Sequence, residues 1–187
     1  MVSSAKSRPR RANSPSSYVA LLRGINVGGK GKLSMQELRE LFESLGFEDV
    51  RTVIQSGNVV FRAASRPSSS GLETAIAERF QITSAVVLRS SSELAKAVHN
   101  NPFGDVDRKY LHVGFMGQAL SDPELAALDL GRFAPERLSA VGSEVYFCLP
   151  LGMGTSKLAS HVARRIGASM TVRNWNTVTT LAKLAAT

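Results

Sequence analysis

The sequence predicts an α+β protein built as a tandem duplication of ferredoxin-like (βαββαβ) units, each followed by an extra helix. Three observations carry this. Short apolar runs of strand length alternate with stretches of helical period. The order strand, helix, strand, strand, helix, strand, helix occurs twice along the chain. A length of 187 residues accommodates two such units. In this order, two interleaved right-handed crossovers lay both helices on one face of an antiparallel sheet. The repeat rests on the order of elements, because the halves share no convincing residue identity.

Tyr18 to Arg23 is a short apolar run closed by a glycine loop, which is the signature of a strand. Ser34 with Glu37 forms a capping box, and Met35, Leu38, Leu41, Phe42 and Leu45 recur at helical spacing until Gly46. Val50–Gln55 and Asn58–Arg62 read as a hairpin about Ser56-Gly57-Asn58. A serine-rich link, Ala64 to Gly71, leads to a helix with Leu72, Ile76 and Phe80 on one face. Ala85–Leu88 is apolar on both faces, as an interior strand would be. Ser90 and Glu93 then cap a helix that ends before Pro102.

The second copy opens with the strand Tyr110–Met116 and a helix started by Ser121 and Glu124. Leu138–Val141 and Val145–Leu149 form a hairpin around Gly142-Ser143. A helix from Ser156 to Ile166 buries Leu158, Val162 and Ile166, and sets Lys157, His161 and Arg164 on the opposite, solvated side. Met170–Arg173 is the last strand, followed by a helix from Trp175 to Ala185. Arg89 and Arg173 occupy matching places before the two extra helices. The expected organisation is a disordered basic tail over residues 1–17, a first unit over residues 18–103 and a second over residues 104–187.

Charge and composition narrow the function. Half of the net charge of +8 lies in the Ser/Pro/Arg-rich tail, on Lys6, Arg8, Arg10 and Arg11, so the folded part is only mildly basic. No acid follows Glu144, which predicts a positive region in the C-terminal quarter. The tail reads as a native extension or leftover expression sequence. No apolar segment follows Arg10-Arg11, so an export signal is not expected. Apolar runs of about five residues are far short of the ~20 that span a bilayer, so no membrane association is expected. The single Cys148 rules out an internal disulfide framework, and it alternates into a strand as a packed residue would. His99, His112 and His161 lack ligand spacing, no GxSxG elbow is present, and neither a metal nor any other cofactor is expected.

The stretch YVALLRGINVGGKGKLS draws the functional reading. Gly24, four residues, Gly29 and Lys30 nearly spell a phosphate loop, but Gly31 stands where Ser or Thr would bind magnesium. The helix also begins only at Ser34, a turn too late to aim its first amides at the anion. Nucleotide hydrolysis is therefore not expected. A looser anion site survives: consecutive glycines can turn amides inward, and Arg23, Lys30 and Lys32 add charge with no acid before Gln36. The alternative is that Gly24, Gly28, Gly29 and Gly31 only permit left-handed backbone while the lysines keep the loop solvated. Asn26 could meet a ligand or close its own turn. Arg173 and Asn174 could extend the site, whereas Asn174 or Asn176 could simply cap the last helix while Trp175 packs between the halves. Gln55 and Asn58 carry the same ambiguity at the hairpin.

The segments LLRGINVGG, QSGNV and RNWNTV closely resemble the family known as domain of unknown function 1697, found mostly in bacteria, over Tyr18 to about Ala186. The resemblance implies a duplicated ferredoxin-like fold in a cytoplasmic protein. It supplies no activity and no catalytic residue.

The reading that follows is a site for a small phosphate- or carboxylate-bearing ligand at Arg23, Asn26, Gly28, Gly29 and Lys30, joined by Arg173 and Asn174, with no reaction assigned. It requires the two segments to meet in the fold. The alternatives are a nucleic-acid binder or a protein-interaction module that presents an open sheet face. Oligomeric state is not legible.

Overall fold

A computed structural model of the chain describes residues 14–26, 33–167 and 170–187. The first half contains β1 (Ser16–Leu22), α1 (Met35–Ser44), β2 (Glu48–Thr52), β3 (Asn58–Ala63), α2 (Ser69–Phe80), β4 (Val86–Ser90) and α3 (Ser91–His99). The second contains β5 (Leu111–Met116), α4 (Asp122–Ala127), β6 (Arg137–Val141), β7 (Glu144–Cys148), α5 (Lys157–Ile166), β8 (Met170–Asn174) and α6 (Trp175–Ala185). Each half forms a four-stranded antiparallel sheet, ordered β2-β3-β1-β4 and β6-β7-β5-β8. Both are the ferredoxin-like order, so the duplicated architecture is what the chain adopts.

Period-two alternation divides each sheet between two cores. Ala20 and Leu22 of β1 face α1 and α2, meeting Leu38, Phe42, Leu72 and Ile76. Val19 and Leu21 face the other way, into a core that both halves share. There Val60 and Val87 of the first sheet meet Val113, Phe115 and Tyr146 of the second, with Leu94 of α3 and Trp175, Val178 and Leu181 of α6. The Tyr146 hydroxyl donates to the Ala97 carbonyl of α3 at 2.7 Å, tying the second sheet to the first half's extra helix. On the far side of the second sheet, Val145, Phe147 and Leu149 pack under Leu158 and Val162 of α5.

Several details depart from the sequence expectations. β4 is an edge strand, although Val86, Val87 and Leu88 are buried. One of its faces packs under α2 and the other against the shared core, so burial on both faces marks an inner layer here and not a central strand. β1 starts at Ser16, two residues inside the expected tail, because Ser16 and Ser17 pair with Ala63 and Arg62. α2 begins at Ser69, inside the expected link, since the Ser68 hydroxyl caps it by accepting from the Gly71 N–H. His161 is buried, not solvated. Residues 1–13 of the expected tail lie outside the described residues.

Candidate functional site

The loop after β1 is built from its base upward. Leu22 N–H donates to the Gly57 carbonyl at 2.8 Å and Arg23 N–H to the Ala85 carbonyl at 2.9 Å, so the strand end is held by the β2–β3 hairpin on one side and by the approach to β4 on the other. The Ser84 hydroxyl donates to the Arg23 carbonyl at 2.9 Å. Asn26, in left-handed backbone with φ 58°, closes the loop. Its Oδ1 accepts the Leu33 N–H at 2.8 Å, and its Nδ2 donates to the Leu33 and Gln55 carbonyls, both at 2.9 Å. One amide thus pins residues 26 and 33 together and ties both to the hairpin. Ile25 and Leu33 bury their side chains in the first core. Gly28, Gly29 and Lys30, which carry the rest of the expected site, lie outside the described residues.

Arg173 reaches this base from the second half. Its Nη2 donates to the Leu22 carbonyl at 2.7 Å and to the Ser56 carbonyl at 3.0 Å, its Nε donates to Asn58 Oδ1, and its Nη1 donates to Thr171 Oγ1 at 2.8 Å. Arg173 therefore meets the end of β1, just before the loop, and the β2–β3 hairpin, through the protein's own hydrogen bonds. Asn58 is fully buried and completes the bridge by donating from Nδ2 to the Val53 carbonyl at 2.9 Å. The Arg173 side chain is spent on these carbonyls and side-chain oxygens, leaving it no donor to turn toward a ligand.

The mirror contact exists on the other half. Arg89, at the matching place on β4, donates from Nη2 to the Met116 carbonyl at 2.7 Å and to Ser143 Oγ at 2.9 Å, and from Nε to Glu144 Oε1 at 2.8 Å. Each arginine thus grips the end of the other unit's first strand and the tip of its hairpin. The two clasps differ in one charge: Arg89 has the Glu144 carboxylate, while Arg173 has only neutral acceptors among the described residues. Burial pulls the Arg173 guanidinium down to about 10, so it remains a cation at neutral pH.

The remaining expected residues sort as follows. Asn174 Oδ1 accepts the Thr177 N–H at 2.8 Å and caps α6, while Trp175 is buried in the shared core between the halves. Arg23 is exposed; its Nη2 would lie 3.8 Å from a Cβ placed on Gly167, so the side chain extends toward the C-terminal end of α5. Asn26, Arg173 and Asn174 act structurally in the loop base and the helix start. Glu144 and Ser143 escaped the sequence reading; the matching placement of Arg89 and Arg173 was the signal that pointed toward their partners. Among the described residues no group of His, Cys, Asp and Glu is arranged to hold a metal ion.

A family model described as "Protein of unknown function (DUF1697)" matches residues 16–146. A solved structure described as that of conserved bacterial protein SP0830 from Streptococcus pneumoniae aligns over 93% of this chain and 100% of its own, at 24% identity and a TM-score of 0.75. At that identity the likeness speaks for the fold. No curated protein matches the chain.

Proposed function

Because the chain belongs to this family of proteins of unknown function, we propose a ligand class from its own chemistry: a small phosphate- or carboxylate-bearing molecule bound at the loop between β1 and α1. The observation that carries this reading is the buried charge of Arg173 at the Leu22 end of β1, which among the described residues meets only neutral acceptors. Burying a cation costs several kcal/mol unless a countercharge is near. The homologous clasp has Glu144; this one has Asn58 and carbonyls. An anion held above Leu22 would offset that cost without touching Arg173. The direct contacts fall to Arg23, Lys30, Lys32 and the amides of Gly28 and Gly29, with Asn26 fixing the loop ends and Asn174 the neighbouring helix start. No reaction is assigned.

A sheet-face binding mode draws no support. The two faces of the first sheet are covered by α1 and α2 and by the shared core, and those of the second by the shared core and α5. No helix is long and apolar enough, among the described residues, to cross a membrane.

A thermal-shift screen of phosphorylated and carboxylated metabolites tests the proposal. A ligand present at 100 times its dissociation constant stabilises the native state by about 2.7 kcal/mol, or roughly 5–10 °C for a chain of this size. The shift should fall by more than half in Arg23→Ala and vanish in Lys30→Ala/Lys32→Ala. A shift untouched by these substitutions places the ligand elsewhere.

A further inference from the structure

We propose a second binding site, separate from the β1–α1 loop: the hollow beside α5, which takes a phosphate-bearing small molecule with an apolar or ring-shaped body. The hollow has a volume of about 390 Å³, and three cations, Arg132, Lys157 and Arg164, line it together with Phe133 and Thr155. Lys157 and Arg164 are exposed, and among the described residues neither has a carboxylate within ion-pair distance. Arg132 meets Asp129 at 3.6 Å, with both side chains more than half exposed, a pairing that water and salt readily outcompete.

Arg132 is also positioned, which a solvated surface cation does not require. His161 is buried at 6% exposure, and its Nε2 lies 3.0 Å from the Leu128 carbonyl, an acceptor, so that nitrogen carries the proton. Nδ1 is then the acceptor for Arg132 Nη2 at 3.3 Å. The guanidinium lies 5.1 Å from the Phe133 ring centroid, and Phe133 in turn packs on the His161 ring at 4.9 Å. A buried imidazole and an aromatic ring hold the arginine toward the hollow, where Lys157 and Arg164 stand on the facing helix.

The first amides of α5 do not make this site. Ser156 Oγ accepts the Ala159 N–H at 2.8 Å, and Glu136 Oε2 accepts the Leu158 N–H at 2.9 Å. The side chains supply the positive charge. An adjoining hollow of about 220 Å³ shares Arg132, Phe133, Thr155 and Lys157, and continues to Pro135, Glu136 and Leu151. Leu151 is 70% exposed there, an apolar surface without a partner. The buried Glu136 at that end repels an anion and sets the polarity: the phosphate lies at Arg132, Lys157 and Arg164, and the neutral body lies over Phe133, Pro135 and Leu151. A nucleic-acid strand would need an extended positive track with further stacking rings; the small volume of the hollow and its single, half-buried aromatic, Phe133, favour a small molecule.

Phenyl phosphate is the probe, titrated calorimetrically into the full chain at physiological salt, with phenol and inorganic phosphate as controls. We expect saturable binding at least tenfold tighter than either control, weakened at least tenfold in Lys157→Ala/Arg164→Ala and unchanged in Arg79→Ala, which removes an exposed cation of α2 that belongs to neither site. Both replaced side chains are solvent-exposed, and circular dichroism checks that the double variant folds. Affinity equal to inorganic phosphate, full retention in the double variant, or an equal loss in Arg79→Ala would each overturn the site. So would tight binding of a single-stranded oligonucleotide, dependent on Lys157 and Arg164, in the absence of phenyl phosphate binding.

Discussion

Arg89 and Arg173 do the same mechanical task with different electrostatics, and that difference makes residue-level predictions. Replacing Glu144 with Ala strands the buried Arg89 cation and should cost about 3 kcal/mol in chemical denaturation. Arg173→Met leaves Asn58 Oδ1 and the Leu22 and Ser56 carbonyls without their donor; each buried acceptor costs about 1–3 kcal/mol, so this variant should be the less stable of the two. His112 gives a pH signature. Burial lowers its pKa, opposed by a backbone hydrogen bond with Tyr110, and its buried Nδ1 lacks a partner. The folded state therefore resists a proton that the unfolded chain accepts below about pH 6.5. Stability should drop as pH falls through that value, and His112→Gln should flatten the drop in urea melts between pH 7.5 and 5.5. At this scale the sequence was least legible. Arg173 could be read as a ligand group because a lone arginine between a strand and a helix carries no sign of what lies 115 residues away in the chain.

At the scale of elements, local signals carried further. Ser34, Ser68, Ser90, Ser156 and Asn174 all accept a hydrogen bond at the helix starts, since a cap needs only residues within one turn. Asn174→Ala should cost about 1 kcal/mol of stability and leave anion affinity unchanged, which separates a capping role from a ligand role. Gly57 is an element-level constraint of another kind. With φ 70°, and with an added Cβ 2.8 Å from Leu22 Cβ, it lets the hairpin tip close on the end of β1. Gly57→Ala should cost about 2–3 kcal/mol, from left-handed strain and overpacking together, and should weaken anion binding by disturbing the loop base. The element misread was β4: composition reports that a strand is buried on both faces, but not whether its hydrogen-bonding edge is shared. His161 was misread because it stands only about 60° of helical phase from Leu158, at the border of the apolar stripe, and the sequence does not show that Leu128 and Phe133 cover that border.

Across the whole molecule, the order of elements was enough to give two ferredoxin-like units, because each unit's topology follows from consecutive pieces of chain. Of how the units join, the packing of Trp175 between the halves was legible, and the rest was not. The joint depends on α3 and α6 packing in a shared core, and on each arginine crossing to the other unit's hairpin. A core to which both halves contribute predicts one cooperative unfolding transition, with fluorescence of the buried Trp175 and far-ultraviolet dichroism superimposing; separated transitions would mean that the halves are independent. The same joint buries the Arg173 cation at the end of β1, where among the described residues it meets only neutral acceptors. The most direct measurement is therefore calorimetric titration of the full chain with inorganic phosphate and small phosphorylated metabolites, repeated on Lys30→Ala/Lys32→Ala. Saturable binding that the double substitution weakens at least tenfold is the expected result. Absence of any binding, or affinity indifferent to both lysines, would contradict an anion site at this loop.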